Sequence, residues 1–210
     1  MAKRENRAGF GLRPALIVVD VTRAQADPEV QGHLESGVQA AEQIARLLQA
    51  ARQAEVPIFF SRGGRNYHCS SGAPLSKLER GAWLYKSPLM EKAPAEADLA
   101  YQFPAVFGVR PGEIIISKSA PSAFFGTMLS SYLLRLGADT LIVTGMHTSA
   151  CIRATVNDAF SYGFRVLLPA ECLADRRPEA HRIHLEEMDE KYADVLDTRD
   201  VLNYFRGLRR

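Results

Sequence analysis

The sequence predicts an α/β protein, with three layers in the order α/β/α around a central, mainly parallel sheet of five or six strands. Two observations favour this architecture. Short runs of β-branched residues alternate with longer stretches of helical period, and each predicted helix follows its strand closely. The 210 residues suffice for one such unit, so residues 1–210 are interpreted as a single domain.

The first strand, PALIVVD, is apolar throughout and is expected to be buried on both faces. Strands are predicted at residues 14–20, 56–61, 113–117, 140–144 and 165–168, with a weaker one near Val195. Helices are predicted at residues 33–55, 122–136, 149–162 and 178–191, with a terminal helix from about Thr198. In the first helix, apolar residues recur at spacings of four and three, which places them on one face.

One long segment departs from this alternation. Residues 62–112 hold many of the glycines and prolines and have no clean period. Long irregular connections in compact domains are usually lids, binding loops or oligomer contacts. This excursion is assigned to the same domain, because no linker or repeat separates it.

Composition excludes several classes of function. The 26 basic and 24 acidic residues leave a net charge of +2, too small for a nucleic-acid-binding protein without a dense basic face. The apolar runs are far shorter than a membrane span, and no secretion signal is recognisable, so a cytoplasmic protein that does not contact membrane is expected. The three cysteines form no CxxC motif and are expected to be reduced.

Three chemically useful residues follow predicted strands. Asp20 ends the first strand, Lys118 follows EIIIS, and Cys151 begins a helix after the turn GMHTSAC. Ligands of open α/β sheets bind beyond the carboxyl ends of the strands, where these three side chains are expected to meet. Each alone is typical of capping, solvated or packing residues, but together they supply what covalent hydrolysis requires.

The chemistry expected of the three residues centres on the thiol. A helix N-terminus and the Lys118 ammonium would both stabilise the thiolate and lower the pKa of Cys151 below its usual value of about 8.5. Asp20 would take the thiol proton and return it to a departing nitrogen. The backbone N–H groups of His147 and Cys151 would bind the oxyanion.

Four segments, in this order and spacing, carry a family resemblance: ALIVVDVTRA, ISKSAPSAFFGTML, VTGMHTSACIRATVNDAFSYGFRV and ECLADRRPEAH. The chain resembles the cysteine hydrolases of the isochorismatase-like superfamily, and most of all the N-carbamoylsarcosine and maleamate amidases. The likeness extends from about Gly9 to Val201 and is strongest over residues 118–176.

The resemblance implies roles for individual residues. Cys151 becomes the nucleophile, Asp20 the general acid and base, and Lys118 the charge that supports both. It also implies a cis peptide bond between Met146 and His147, four residues before the cysteine. Arg176 matches an arginine that holds the substrate carboxylate, and Trp83 resembles an aromatic residue of the pocket.

The sequence departs from that subgroup at two places. His147 stands where those amidases usually have a small serine, and HLEEMD at residues 184–189 replaces a segment close to NLFDID. A bulky, titratable residue in the pocket wall should alter which substrates fit, so His147 is also a predicted substrate-binding residue.

Metal and cofactor chemistry is not expected. Nicotinamidase relatives hold a metal with an aspartate and histidine after the second strand, where this chain has SRGGRNYH without the aspartate. His68 beside Cys69, and the pair His181 and His184, leave a minor alternative. No dinucleotide or phosphate-binding motif is present. Cys172 is expected to be a core or pocket-wall thiol.

The leading hypothesis is an amidohydrolase that acts on a small linear amide or N-carbamoyl compound bearing a carboxylate, forms a Cys151 thioester and releases ammonia. Alternatives are a maleamate amidase, another amide or ureido hydrolase, or a hydrolase of cyclic or larger amides. An alternative of another class is a non-catalytic binding or redox-sensing protein that uses Cys151. The resemblance implies a homodimer or homotetramer.

Overall fold

The computed structural model describes residues 7–63, 99 and 102–208. The strands among these residues form one parallel sheet at the centre of the fold. Its strand order is β3-β2-β1-β4-β5-β7, and the short β6 pairs with β4. The strands are β1 (Pro14–Val19), β2 (Ile58–Gly63), β3 (Ile114–Lys118), β4 (Thr140–Met146), β5 (Arg165–Pro169), β6 (Leu173–Ala174) and β7 (Asp194–Leu196). Every pairing among them is parallel, which agrees with the predicted mainly parallel sheet. The described sheet has seven strands rather than the predicted five or six, because the two-residue β6 is too short to give a signal in the sequence.

Helices follow most of the strands. They are α1 (Arg23–Ala26), α2 (Glu35–Gln53), α3 (Leu129–Leu136), α4 (Arg153–Ser161), α5 (Pro178–Lys191) and α6 (Thr198–Gly207). The bounds of α5 agree with the prediction, and Pro178 occupies its first turn, where a missing N–H costs nothing. None of the described helices is both long and apolar enough to cross a membrane.

Two apolar layers lie on opposite faces of the sheet. Leu16 and Val18 of β1 pack with α2 and α6 on one face, whereas Ile17 and Val19 pack with α3, α4 and α5 on the other. All four side chains are fully buried, and burial of each stabilises the fold by about 1.5 to 3 kcal/mol. The predicted three-layer α/β/α architecture is therefore confirmed.

The helix predicted at residues 122–136 begins only at Leu129. Local polar contacts hold the preceding residues in turns: the Phe124 N–H donates to Ser122 Oγ, and Thr127 Oγ1 donates to the Ala123 carbonyl. Gly126 has a φ of +68°, which is incompatible with a right-handed helix. The predicted start was therefore wrong by seven residues.

The excursion at residues 62–112 lies largely outside the described residues. Trp83, His68 and Cys69 all fall there, so their predicted or alternative roles remain predictions. The part that is described returns to the core through a short 3-10 turn, Ala105–Phe107. Phe107 is fully buried and packs against Phe60 of β2, with ring centroids 6.2 Å apart.

Candidate active site

The strand order places a topological switch point between β1 and β4. Strands β2 and β3 continue from β1 to one side, while β5 and β7 continue from β4 to the other. Ligands of open α/β sheets bind at the carboxyl edge beside such a switch point. Asp20 follows β1, Lys118 ends β3, and the turn that carries Cys151 follows β4.

The structure brings the three predicted residues together. Lys118 Nζ lies 2.6 Å from Asp20 Oδ2 and 3.4 Å from Cys151 Sγ, and it donates to the Ala120 carbonyl at 3.0 Å. The Lys118 side chain is completely buried. An ammonium has three protons to donate, and these three acceptors offset the cost of its burial.

Asp20 is oriented by its backbone and by β2. Its φ of 53° lies in the left-handed region, which an aspartate adopts more readily than a branched residue does. Ser61 Oγ donates to Asp20 Oδ1 at 2.9 Å, and the Asp20 N–H donates to the Ser61 carbonyl at 3.0 Å. One carboxylate oxygen is thus bound by Ser61 and the other by Lys118.

The turn before α4 presents the thiol. It follows a cis peptide bond between Met146 and His147, the bond to which the resemblance pointed. The His147 carbonyl accepts from the N–H groups of Ala150 and Ile152, the latter five residues later, so the turn is wider than an α-helical one. Cys151 lies in this turn with 7% of its surface exposed.

A glycine permits this turn to approach β1. Gly145 has a φ of +116°, and a Cβ at this position would overlap the backbone of Val19, the residue before Asp20. The close approach of β4 and β1 therefore depends on the absence of a side chain.

Asp175 also anchors this turn. Its Oδ2 accepts from the Ser149 N–H at 2.8 Å and from Ser149 Oγ at 2.7 Å, and its Oδ1 accepts from the Arg177 N–H at 3.1 Å. Burial disfavours its charge, but these hydrogen bonds outweigh burial and lower the pKa of Asp175.

The electrostatics of the thiol contradict the sequence-based expectation. Burial and the neighbouring Asp20 carboxylate raise the pKa of Cys151 to about 12, and the Lys118 charge only partly opposes them. Lys118 lies closer to Asp20 than to the sulfur, so much of its charge is neutralised by the carboxylate. The predicted lowering of the thiol pKa was wrong.

The pKa of Lys118 is raised even though its side chain is buried. Burial alone would lower its pKa, but the charges of Asp20 and Cys151 and their hydrogen bonds raise it. At neutral pH Lys118 is therefore an ammonium and Cys151 a protonated thiol. Asp20 is placed to accept the thiol proton.

Of the predicted substrate-binding residues, His147 and Arg176 are described, and both lie near this centre. His147 is half-buried, and its Nε2 lies 3.0 Å from Gln25 Nε2 in α1. Arg176 is exposed, and its charge contributes to the lowered pKa of His147, of which burial is the largest cause.

Sequence reasoning missed three residues of the site, namely Ser61, Asp175 and Gln25. A polar signal was visible for two of them: Ser61 closes the apolar run VPIFF, and Asp175 lies in the segment ECLADR that also holds Arg176. Gln25 gave no signal, because its partner is 122 residues away.

Within residues 7–63 and 102–208, no group of three His, Cys, Asp or Glu side chains could hold a metal ion. His181, one of the alternative ligands, instead shares a 2.8 Å hydrogen bond with Thr148 Oγ1. His184 Nδ1 lies 3.3 Å from Glu187. The absence of a metal stays a prediction.

The three-layer parallel fold and the residues gathered at its switch point define a protein of the isochorismatase-like hydrolase fold. The family model named Isochorismatase domain matches residues 14–200. The chain belongs to this family, which confirms the resemblance found in the sequence.

Relatives with assigned activities cover nearly the whole chain. A maleamate amidohydrolase from Pseudomonas putida is 34% identical over 96% of this chain and 91% of its own length. An N-carbamoylsarcosine amidase from an Arthrobacter species is 36% identical over 97% of this chain and 75% of its own. The crystal structure of a cysteine hydrolase from Pseudomonas syringae superposes with a TM-score of 0.80, at 24% identity, over 99% of this chain and all of that one.

Proposed function

We propose that this protein cleaves the C–N bond of a small linear amide or N-carbamoyl compound through a Cys151 thioester and releases ammonia. Its relatives include amidohydrolases, and the protein is an enzyme of that broad class, a hydrolase of carbon–nitrogen bonds other than peptide bonds. The thioester mechanism and the substrate are the proposed part.

One observation carries the proposal: a buried Lys118 ammonium that contacts both the Asp20 carboxylate, at 2.6 Å, and the Cys151 thiol, at 3.4 Å. A nucleophile, a proton acceptor and a fixed positive charge are the groups that covalent amide hydrolysis needs.

In the first step, Asp20 accepts the thiol proton while Cys151 Sγ attacks the carbonyl carbon. The raised pKa of the thiol means that no stable thiolate is present beforehand, so proton transfer and attack occur together. Lys118 stays protonated and holds Asp20 in position throughout.

The tetrahedral intermediate carries a negative oxygen. The backbone N–H groups of His147 and Cys151 are the proposed donors to this oxyanion, and removal of one such donor typically costs about 10² to 10³ in kcat. Protonated Asp20 then returns its proton to the leaving nitrogen. The C–N bond breaks, ammonia departs and the acyl group remains on sulfur.

Water completes the cycle. Asp20, again a carboxylate, takes a proton from water as the water oxygen attacks the thioester carbon. Breaking the C–S bond releases the carboxylic acid, and Asp20 returns the proton to the sulfur. The protein recovers its starting protonation state, so no cofactor is consumed.

Arg176 is the proposed binding group for a substrate carboxylate. Its side chain is exposed and lies near His147, and a planar guanidinium can donate two parallel hydrogen bonds to a carboxylate. Maleamate and N-carbamoylsarcosine, the compounds named for the two relatives, both carry a carboxylate as well as a terminal C–N bond of an amide or carbamoyl group.

The test is an ammonia-release assay over maleamate, N-carbamoyl amino acids, ureido acids and nicotinamide. We expect turnover of at least one carboxylate-bearing linear amide or carbamoyl compound. Rapid acid quench and mass spectrometry should then show the acyl group on Cys151. Retention of turnover on that substrate by Cys151→Ala would refute the thioester route.

The alternative of a redox-sensing thiol is less well supported. Sensor cysteines are exposed and have a low pKa, whereas Cys151 is buried and its pKa is raised. Reversible oxidation of Cys151 by peroxide, in a protein that hydrolyses no amide, would favour this alternative.

A further inference from the structure

We infer that Gln25 is a positioning residue for the proposed hydrolysis, and that its hydrogen bond to His147 holds the oxyanion-binding turn against the loop that carries Asp20. The inference rests on the proposed function. Gln25 lies five residues after Asp20, and His147 lies four residues before Cys151. This single side-chain contact therefore joins the two loops that supply the acid–base group and the nucleophile.

The amide orientation follows from the neighbours of Gln25. In the structure Gln25 Oε1 accepts from Thr22 Oγ1 at 3.4 Å, and the NH₂ group of the amide faces the ring of His147. Gln25 Nε2 lies 3.0 Å from His147 Nε2 and has only protons to offer. His147 Nε2 must therefore be the unprotonated acceptor, and the ring is neutral with its proton on Nδ1.

Gln25 is itself held from two sides. Its N–H donates to the Thr22 carbonyl, and its carbonyl accepts from the Leu34 N–H at 2.9 Å. Helix α2 packs tightly on this carbonyl, since a Cβ added at Gly37 would lie 2.8 Å from the Gln25 oxygen. Gln25 is thus a fixed support from which a hydrogen bond can set the position of His147.

Packing alone does not account for a histidine at this position. His147 Nδ1 is buried and has no hydrogen-bond partner among the described residues. An unsatisfied buried donor costs about 1 to 3 kcal/mol, a cost that an apolar side chain would avoid. The hydrogen bond at Nε2 is the compensating interaction that the structure shows.

The charged groups around the ring determine when this contact persists. Burial and Arg176 lower the pKa of His147, while Asp175 and Asp20 raise it less, so the net shift is downward. The ring is neutral at pH 7, and the contact is intact. Below the pKa, a protonated Nε2 would face the amide NH₂ of Gln25, donor against donor, and the contact would be lost.

The experiment compares Gln25→Leu with Gln39→Leu, using maleamate and N-carbamoylsarcosine as probes. Gln39 is exposed on α2, and its amide NH₂ donates to Glu35 Oε1 at 3.2 Å, far from the proposed site in the chain. We expect kcat to fall about tenfold or more in Gln25→Leu, with KM within about twofold, because misplaced transition-state donors affect rate more than substrate binding. Gln39→Leu should match the wild type.

A second variant replaces the hydrogen-bond donor at position 25 with an acceptor. In Gln25→Glu, the carboxylate can accept from a protonated Nε2, so the pKa of His147, followed by NMR, should rise above its wild-type value. Below this raised pKa, kcat should recover relative to Gln25→Leu. A merely structural role for Gln25 would move neither the titration nor the rate in this way.

Two results would overturn the inference. One is a folded Gln25→Leu variant, checked by circular dichroism, with wild-type kcat on a probe that the wild type hydrolyses. The other is an NMR signature at pH 7 showing the His147 proton on Nε2. If the wild type hydrolyses no amide in the wider assay, the proposed function fails, and the Gln25–His147 contact is then judged on the tautomer alone.

Discussion

The two described cysteines are alike in burial and differ in their neighbours. Burial is the largest cause that raises the pKa of each thiol, to about 12 in both. Cys151 lies 3.4 Å from a lysine ammonium and keeps 7% of its surface exposed. Cys172 has none of its surface exposed and lies 3.5 Å from Thr198 Oγ1, packed with α2 and α6.

The comparison shows that a pKa shift does not by itself distinguish a nucleophile from a core thiol. The distinguishing features are a nearby group that can accept the proton and a surface that a substrate can reach. Asp20 and Lys118 supply the first feature for Cys151, and the 7% of its surface that is exposed supplies the second. The expected role of Cys172 as a core or pocket-wall thiol agrees with its burial.

The largest expected effect separates the two cysteines directly. Cys151→Ala should lower kcat by about 10⁴-fold or more, because the nucleophile is lost. Cys172→Ala should leave kcat within about twofold and lower the free energy of unfolding by about 1 kcal/mol, because only a small cavity is created. Ammonia release and urea denaturation measure the two quantities. Equal loss of activity in both variants would break the distinction.

The next effect concerns Asp20, which raises the pKa of Cys151 but not that of Cys172. Asp20→Asn should reduce kcat by about 10² to 10⁴-fold, because the general base is lost. The same change should lower the pKa of Cys151 and accelerate its alkylation by iodoacetamide at pH 8, since the thiolate fraction increases. Slower alkylation in this variant would show that Asp20 does not oppose ionisation of the thiol.

The smallest effect concerns Lys118, whose charge lowers the pKa of Cys151. In Lys118→Met the pKa of Cys151 should rise further. At a fixed pH, alkylation of Cys151 should then slow about tenfold for each unit by which its pKa rises, because the thiolate fraction falls by that factor. Cys172 serves as an internal reference, because a fully buried thiol should stay unlabelled while the chain is folded. Unchanged alkylation of Cys151 would indicate that the ammonium has no influence on the sulfur.

Much of the fold could be predicted because its signals are local. The continuous apolar run of β1 and the regular apolar face of α2 each encode their own element, and the start of α5 is marked by Pro178. The segment at residues 122–128 could not be predicted in this way. Its non-helical conformation depends partly on the Ala123 N–H donating to Thr155 Oγ1, a contact made across the fold.

The candidate site likewise has features with a local signal in the sequence and features that depend on tertiary contacts. Asp20, Lys118 and Cys151 were accessible to sequence reasoning because each follows a recognisable strand, and parallel strands end at a common edge. The directions in which the pKa values of Lys118 and Cys151 shift were not accessible in this way, because a pKa depends on distances and burial that involve several strands at once.

The amino-acid sequence by itself determined the layers of the fold, the positions of the strands and the three chemical groups at the strand ends. Only the tertiary structure decided that the lysine lies closer to the carboxylate than to the sulfur, and that the thiol is therefore protonated at rest. It also decided the contacts of Ser61, Asp175 and Gln25, whose partners are distant in the chain. The physical reason is that periodicity and propensity are properties of neighbouring residues, whereas desolvation and charge interactions arise only when remote segments pack together.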